Sequence, residues 1–150
     1  MTTEHYAELM LSFPLFQGFT AHGAGFILEK GAIKEHASGE VIFHEGDPPG
    51  SVMLALSGTA EIYVERNGKV IPLTESGPGT ILGELAVLCG IPRAASLRAK
   101  GTLVALHWTN QNFRQLMVSN VALSERILRN SLRTLIDKER SLINSLNPAS

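Results

Sequence analysis

The 150-residue chain lacks several features that would each assign it to a familiar class. Its single cysteine, Cys89, can neither form an internal disulfide nor hold a zinc ion by itself, so no oxidising compartment is indicated. The formal net charge is only −1, which provides no electrostatic footprint for nucleic acid. Neither a run of 18 apolar residues nor a basic-then-apolar leader occurs. We therefore expect a cytoplasmic protein with no membrane or nucleic-acid partner.

Hydrophobic residues make up 44% of the chain, and its length suits a single domain, 1–150. The first part, 1–31, is predicted to be helical. Tyr6, Leu9 and Phe13 recur at helical spacing, and a second helix is expected from the N-cap residue Thr20 to about Lys30.

The middle of the chain, 32–108, has the pattern of short β-strands separated by glycines. Ala60, Ile62 and Val64 alternate with polar residues, as in a half-buried strand. Asn67-Gly68 is a strong hairpin signal. Many short strands with regularly placed turn residues predict a sandwich or jelly roll, so the fold class is mainly β with flanking α.

The last part, 109–147, contains no glycine and has helical spacing throughout. Cap-forming residues at Ser119-Asn120 predict a short helix followed by a long one. An apolar stripe with a seven-residue period runs along the long helix: Val121, Leu128, Leu135 and Leu142. This stripe is expected to cover the sandwich, to form the seam of a homodimer, or to do both at successive turns.

The segment 81–96 carries the strongest functional signal. Glu84 and Arg93 are its only charged residues, and Gly83 precedes a predicted helical turn over 84–88. The start of such a turn attracts anions, and an arginine can donate two hydrogen bonds to a phosphate. The carboxylate of Glu84 would repel a phosphate, so it is better suited to accept a hydrogen bond from a sugar hydroxyl. The alternative is a structural ion pair between Glu84 and Arg93.

The sequence Gly83-Glu84-Leu85-Ala86, followed after six residues by Arg93-Ala94-Ala95-Ser96, resembles the phosphate-binding cassette of cyclic nucleotide-binding domains. The similarity extends to Phe13-Pro14-Leu15-Phe16 and to the segment from Gly39 to Asp47. It implies an eight-stranded β jelly roll (double-stranded β-helix) with N-terminal helices, a cassette at 82–96 and a long C-terminal helix.

The resemblance also implies roles for individual residues. Arg93 would pair with the cyclic phosphate, and the backbone N–H groups of Ala86 and Ala94 would donate to it. Glu84 would accept from the ribose 2′-hydroxyl. Alanine at position 94, where cGMP-preferring members often carry threonine, favours cAMP, although cGMP stays an alternative. The expected ligand-binding set is Gly83, Glu84, Leu85, Ala86, Arg93, Ala94 and Ala95. The residues expected to contact the base are among Asn120, Ser124 and Arg126.

These features predict a non-enzymatic cAMP receptor that closes its C-terminal helix over the nucleotide. Because the chain ends near Pro148, without an appended output domain, it is expected to act as a stand-alone module on a protein effector in trans. The alternative is a dimerisation or docking protein whose pocket is unoccupied or cGMP-selective. A metalloenzyme is disfavoured because the five histidines are scattered, and no metal or other cofactor is expected.

Overall fold

A computed structural model describes residues 2–146, and the predicted end of the last helix at 147 and Pro148 lie outside them. The described residues form five α-helices and six strands, with a 3-10 turn at Pro14–Phe16. In chain order these elements are α1 (Thr3–Leu11), α2 (Ala21–Glu29), β1 (Ala32–His36), β2 (Val41–Phe43), β3 (Ser51–Arg66), β4 (Lys69–Ser76), β5 (Ile81–Leu82), α3 (Glu84–Cys89), β6 (Ser96–Thr109), α4 (Asn110–Ser119) and α5 (Val121–Ser145).

Side-chain caps define where the helices begin. Thr20 accepts a hydrogen bond from the backbone N–H of Gly23, and this fixes the start of α2. Asn120 likewise accepts from Leu123, so the break between α4 and α5 lies where cap-forming residues predict it. In the part of the chain that the structure describes, none of the helices has the length and apolar character needed to cross a membrane.

The strands form one antiparallel sheet in the order β1-β6-β3-β4, with β2 paired to β6 and β5 paired to β3. The jelly-roll class is confirmed, but the predicted count of eight strands is wrong. Residues 2–146 contain six because β3 and β6 run for 16 and 14 residues without a break. Each long strand pairs with different neighbours at its two ends. Between them the register shifts around Gly58, where a Cβ atom would lie 2.1 Å from the carbonyl oxygen of Thr102.

The core has two layers because successive side chains of β3 point to opposite faces of the sheet. Val52, Leu54 and Leu56 pack with the helices and with Trp108 in the outer layer, whereas Met53 and Ala55 pack in the inner layer, inside the roll. All five of these strand residues are buried, so this stretch shows no polar alternation. The inner layer forms the base of the cavity described below.

A chain of polar groups connects β1 to β6. His36 is 6% exposed, and its Nδ1 contacts the Glu40 carboxylate. Its Nε2 lies 2.8 Å from Nε2 of His107 on β6. Burial lowers the pKa of His107 to about 4, and the neighbouring His36 adds to this effect. Only one of the two facing nitrogens can carry the proton that they share.

Candidate functional site

Two glycines delimit the short helix α3. Gly83 precedes it with φ of +81° and Gly90 ends it with φ of +66°, and both values lie in the left-handed region that favours glycine. The predicted helical turn is thereby confirmed, extending one residue further to Cys89. Val87 anchors the helix in the outer core layer. Gly83 and the first turn, Glu84 to Ala86, line the cavity described below, and the first N–H groups of a helix have no partner within it.

Arg93 is held at this entry by both its backbone and its side chain. Its backbone N–H donates to the carbonyl of Asp47 (2.9 Å), and its carbonyl accepts from Gly46 (2.8 Å). The guanidinium donates to the carbonyl oxygens of Gly83 (2.8 Å) and Ser51 (2.6 Å). It lies over the Phe43 ring, 4.0 Å from the ring centroid. Arg93 is only 4% exposed, so its head group points into the protein.

The missing side chain of Gly83 makes room for this arginine. A Cβ atom at position 83 would lie 2.7 Å from Nη1 of Arg93 and 3.4 Å from the Phe43 ring. The first separation is too short for atoms that do not bond to each other, whereas the second is an ordinary van der Waals contact. Any other residue at position 83 would therefore displace the guanidinium.

The hydrogen-bonding capacity of Arg93 is only partly used. A guanidinium has five N–H donors, and the two carbonyl contacts engage Nη1 and Nη2. The Nε atom is buried and has no hydrogen-bond partner within residues 2–146. Burial lowers the pKa of Arg93, because a cation removed from water is destabilised. A buried cation with an unused donor fits an anionic ligand.

Glu84 does not form the ion pair that was the structural alternative. Across the described part of the chain, no Arg93–Glu84 contact lies within 4.0 Å. The carboxylate instead accepts a hydrogen bond from the hydroxyl of Ser131 on α5 (3.1 Å). Burial raises the pKa of Glu84, although a hydrogen bond from its own backbone N–H, the Ser131 hydrogen bond and two nearby cations oppose the effect. The two charged groups therefore remain separately available.

A cavity of about 700 Å³ adjoins both groups, a volume that is ordinary for a small-molecule site. Its floor includes Phe43, Ile62 and Leu97 of the roll, and β4 contributes Thr74 and Ser76. All seven residues of the predicted ligand-binding set line it: Gly83, Glu84, Leu85, Ala86, Arg93, Ala94 and Ala95. Their individual roles stay predictions. Among residues 2–146, no group of three or more histidine, cysteine or acidic side chains could hold a metal ion.

The three residues proposed for base contacts lie outside the lining of this cavity. Asn120 caps α5, and Arg126 donates to the carbonyls of Leu15 and Gln17. The cavity wall on α5 is formed instead by Ile127, Asn130, Ser131, Thr134 and Lys138. The sequence contained a signal for this face, since Leu123, Ile127 and Ser131 are spaced by four and are the buried residues of α5.

The heptad stripe of α5 lies on a different face from the cavity. Val121, Leu128, Leu135 and Leu142 are 75%, 43%, 44% and 67% exposed. The stripe therefore does not cover the sandwich, which corrects one of its predicted uses. Leu132, Ile136 and Ile143 extend it into a broad exposed apolar face.

Together these features define a ligand-binding β-roll in which a glycine-entered helix and a buried arginine line one cavity. The chain belongs to the cyclic nucleotide-binding domain family, because the sequence model of that family matches residues 25–120. This membership confirms the resemblance carried by the segment 83–96.

The chain is similar to regulatory proteins from several organisms. It is 28% identical over 101 residues to the cAMP-dependent protein kinase type II regulatory subunit of Drosophila melanogaster, covering 67% of this chain and 27% of that protein. The fold is similar to that of the Thermus thermophilus catabolite activator protein (TM-score 0.77, 23% identity, 86% of this chain and 61% of the other). It is also similar to that of the regulatory subunit of a cAMP-independent protein kinase A from Trypanosoma brucei (TM-score 0.76, 18% identity, 94% and 51%).

The chain thus spans about a quarter of the length of the Drosophila relative. The Trypanosoma brucei regulatory subunit has this fold, and its protein kinase A is described as cAMP-independent. The fold by itself therefore does not specify the ligand, and the residues of the cavity must do so.

Proposed function

We propose that this chain is a non-enzymatic receptor for a cyclic nucleoside monophosphate, cAMP. The observation that carries the proposal is the buried Arg93, whose Nε has no hydrogen-bond partner within residues 2–146 and which lines a cavity together with Glu84. A cyclic nucleotide needs one cation for its single phosphate charge and one acceptor for its ribose 2′-hydroxyl. Arg93 and Glu84 supply this pair and are held apart from one another, and a second cation, Lys138 on α5, also lines the cavity.

The roles within the site follow from this division. Arg93 binds the cyclic phosphate together with the backbone N–H groups of Ala86 and Ala94, and Glu84 accepts from the 2′-hydroxyl. Gly83 and Ala95 leave the backbone accessible to the ligand, and Leu85 belongs to the lining of the same cavity. No metal or other cofactor takes part in this binding.

The choice of cAMP over cGMP rests on Ala94. Alanine there has no hydroxyl for the exocyclic amino group of guanine, so cGMP gains no contact at this position. The polar residues of α5 that line the cavity, Asn130 and Thr134 among them, face the remaining part of the nucleotide.

The output passes through α5. This helix contributes Ser131 to the cavity and carries the exposed apolar stripe on another face. We propose that binding shifts α5 towards a closed position and that a second copy of the chain and a protein effector in trans read this change. The single cysteine is consistent with action in the reducing cytoplasm.

A titration with matched nucleotides tests the proposal. Isothermal calorimetry with cAMP, cGMP, 2′-deoxy-cAMP and 5′-AMP should give the tightest binding for cAMP. We expect 2′-deoxy-cAMP to bind about 10-fold or more weakly, since it lacks the hydroxyl that bonds to a charged acceptor. 5′-AMP separates recognition of a cyclised phosphodiester from recognition of adenosine. Absent binding of all four would favour a docking protein whose cavity takes no nucleotide, and equal binding of all four would contradict recognition of the cyclic phosphate and the 2′-hydroxyl.

A further inference from the structure

Ser131 makes an unusual contact for a serine in the middle of a helix. Its hydroxyl donates to Oε1 of Glu84 (3.1 Å), across 47 residues of sequence. Of the side chains in residues 2–146, it is the one that donates a hydrogen bond to this carboxylate. Arg93 directs its donors to backbone carbonyls, and Lys138 acts on Glu84 only through its charge.

The neighbouring Thr134 shows what a helical hydroxyl does by default. Its Oγ1 donates back to the carbonyl of Asn130 (3.0 Å), one turn earlier on the same helix. Ser131 lines the same cavity wall but its hydroxyl is directed to another element. This difference marks the Ser131–Glu84 contact as a tertiary one.

Apolar packing fixes where Ser131 lies. Leu123 and Ile127, two turns and one turn earlier on the same face, are each 1% exposed and belong to the outer core layer. Ser131 follows at the next turn with 7% exposure. The core therefore holds α5 in the position at which its hydroxyl meets Glu84.

We propose that Ser131 is a positioning residue: it orients the carboxylate of Glu84 for the ribose hydroxyl and thereby links recognition of the sugar to the seating of α5. The inference rests on the proposed function for the role of Glu84 towards a nucleotide. A carboxylate accepts several hydrogen bonds, so it can accept from the 2′-hydroxyl while Oε1 stays bonded to Ser131. The serine supports the ligand contact and does not compete with it.

The charges around Glu84 determine what loss of the hydroxyl would do. Burial raises the pKa of Glu84, whereas a hydrogen bond from its own backbone N–H, the Ser131 hydrogen bond, Lys138 on α5 and Arg93 beside α3 lower it, in that order. Removing the hydroxyl leaves the desolvated carboxylate with less stabilisation, so its pKa rises further. A protonated Glu84 is a poorer acceptor for the ribose hydroxyl.

The first measurement needs no nucleotide. Carbon NMR of the Glu84 carboxyl group against pH is compared between the full chain and the variants Ser131→Ala, Ser131→Thr and Ser141→Ala. We expect a higher Glu84 pKa in Ser131→Ala and near wild-type values in Ser131→Thr, which keeps the hydroxyl. Ser141 is exposed on the same helix, so Ser141→Ala controls for the gain in helix propensity. An unmoved Glu84 pKa in Ser131→Ala would overturn the positioning role, whatever the binding results.

The second measurement is cAMP affinity against pH for the same variants. Ser131→Ala should lose about 5- to 20-fold, the effect of a hydrogen bond to a charged group, and the loss should grow as pH falls. In a Glu84→Gln background the same substitution should change affinity less than 2-fold. An equal loss in both backgrounds would assign Ser131 a merely structural role. If Ser131→Ala raises the Glu84 pKa but the wild-type chain binds no cyclic nucleotide, the proposed function is refuted, whereas the positioning of the carboxylate by Ser131 stands.

Discussion

Alanine substitution at the two glycines that delimit α3 separates backbone strain from displacement of Arg93. Gly83 and Gly90 both have positive φ, so alanine at either position costs about 1–2 kcal/mol from the left-handed conformation. A Cβ atom at Gly90 meets no atom within 4 Å. Gly90→Ala therefore measures the strain alone.

Gly83→Ala adds a second effect, because its Cβ atom would lie 2.7 Å from Nη1 of Arg93. Moving the guanidinium breaks its hydrogen bond to the Gly83 carbonyl, worth about 1.5–3 kcal/mol for a charged donor. It also weakens the contact with Phe43, worth about 1 kcal/mol. The displaced guanidinium regains part of this free energy through hydrogen bonds to other groups or to water. We therefore expect Gly83→Ala to destabilise the fold by about 2–4 kcal/mol.

Urea unfolding followed by the fluorescence of the buried Trp108 gives both free energies. Calorimetry then gives the cAMP affinity of each folded variant. We expect Gly83→Ala to bind at least about 10-fold more weakly than wild type, and Gly90→Ala to stay within about 3-fold. Equal effects of the two substitutions on both stability and affinity would show that the guanidinium is not held against Gly83.

Three further predictions concern the rest of the fold. Burial keeps the folded-state pKa of His107 near 4, so as pH falls the imidazole of the unfolded chain is protonated before that of the folded chain. The free energy of unfolding should therefore fall by about 1–3 kcal/mol between pH 6.5 and pH 4. His107→Gln should remove this dependence in urea unfolding across that range, whereas the exposed His22→Gln should retain it. Leu135→Lys should reduce self-association in sedimentation measurements without lowering stability, and a monomeric wild-type chain would refute the homodimer. Gly58→Ala should destabilise the roll by more than about 3 kcal/mol, because its Cβ would lie 2.1 Å from a backbone oxygen; wild-type-like thermal unfolding would contradict the close strand crossing.

The cassette was predictable because its chemistry lies close together in the sequence. Gly83 signals a special backbone conformation, and Arg93 is only ten residues away. The caps at Thr20 and Asn120 are equally local, since each accepts from the third residue after it. Such features depend on few atoms, so residue type and spacing determine them.

The strand count and the cavity face of α5 depend on distant partners and could not be predicted in this way. The shift at Gly58 exists because that residue crosses Thr102, far along the chain. On α5, the Val121–Leu142 stripe and the Leu123–Ile127 stripe are both apolar, and only packing against the core decides which one is buried. The regular heptad is more conspicuous in the sequence, yet the shorter stripe faces the protein.

Titration of cAMP into Arg93→Ala tests the central claim most directly. Loss of the buried cation should weaken binding by about 2–5 kcal/mol, because the phosphate would enter a desolvated site without its partner. Arg66→Ala, which removes an arginine paired with Glu45 at the surface, should bind cAMP as wild type does. Wild-type affinity in a folded Arg93→Ala variant would contradict the assignment of this cavity to a cyclic phosphate.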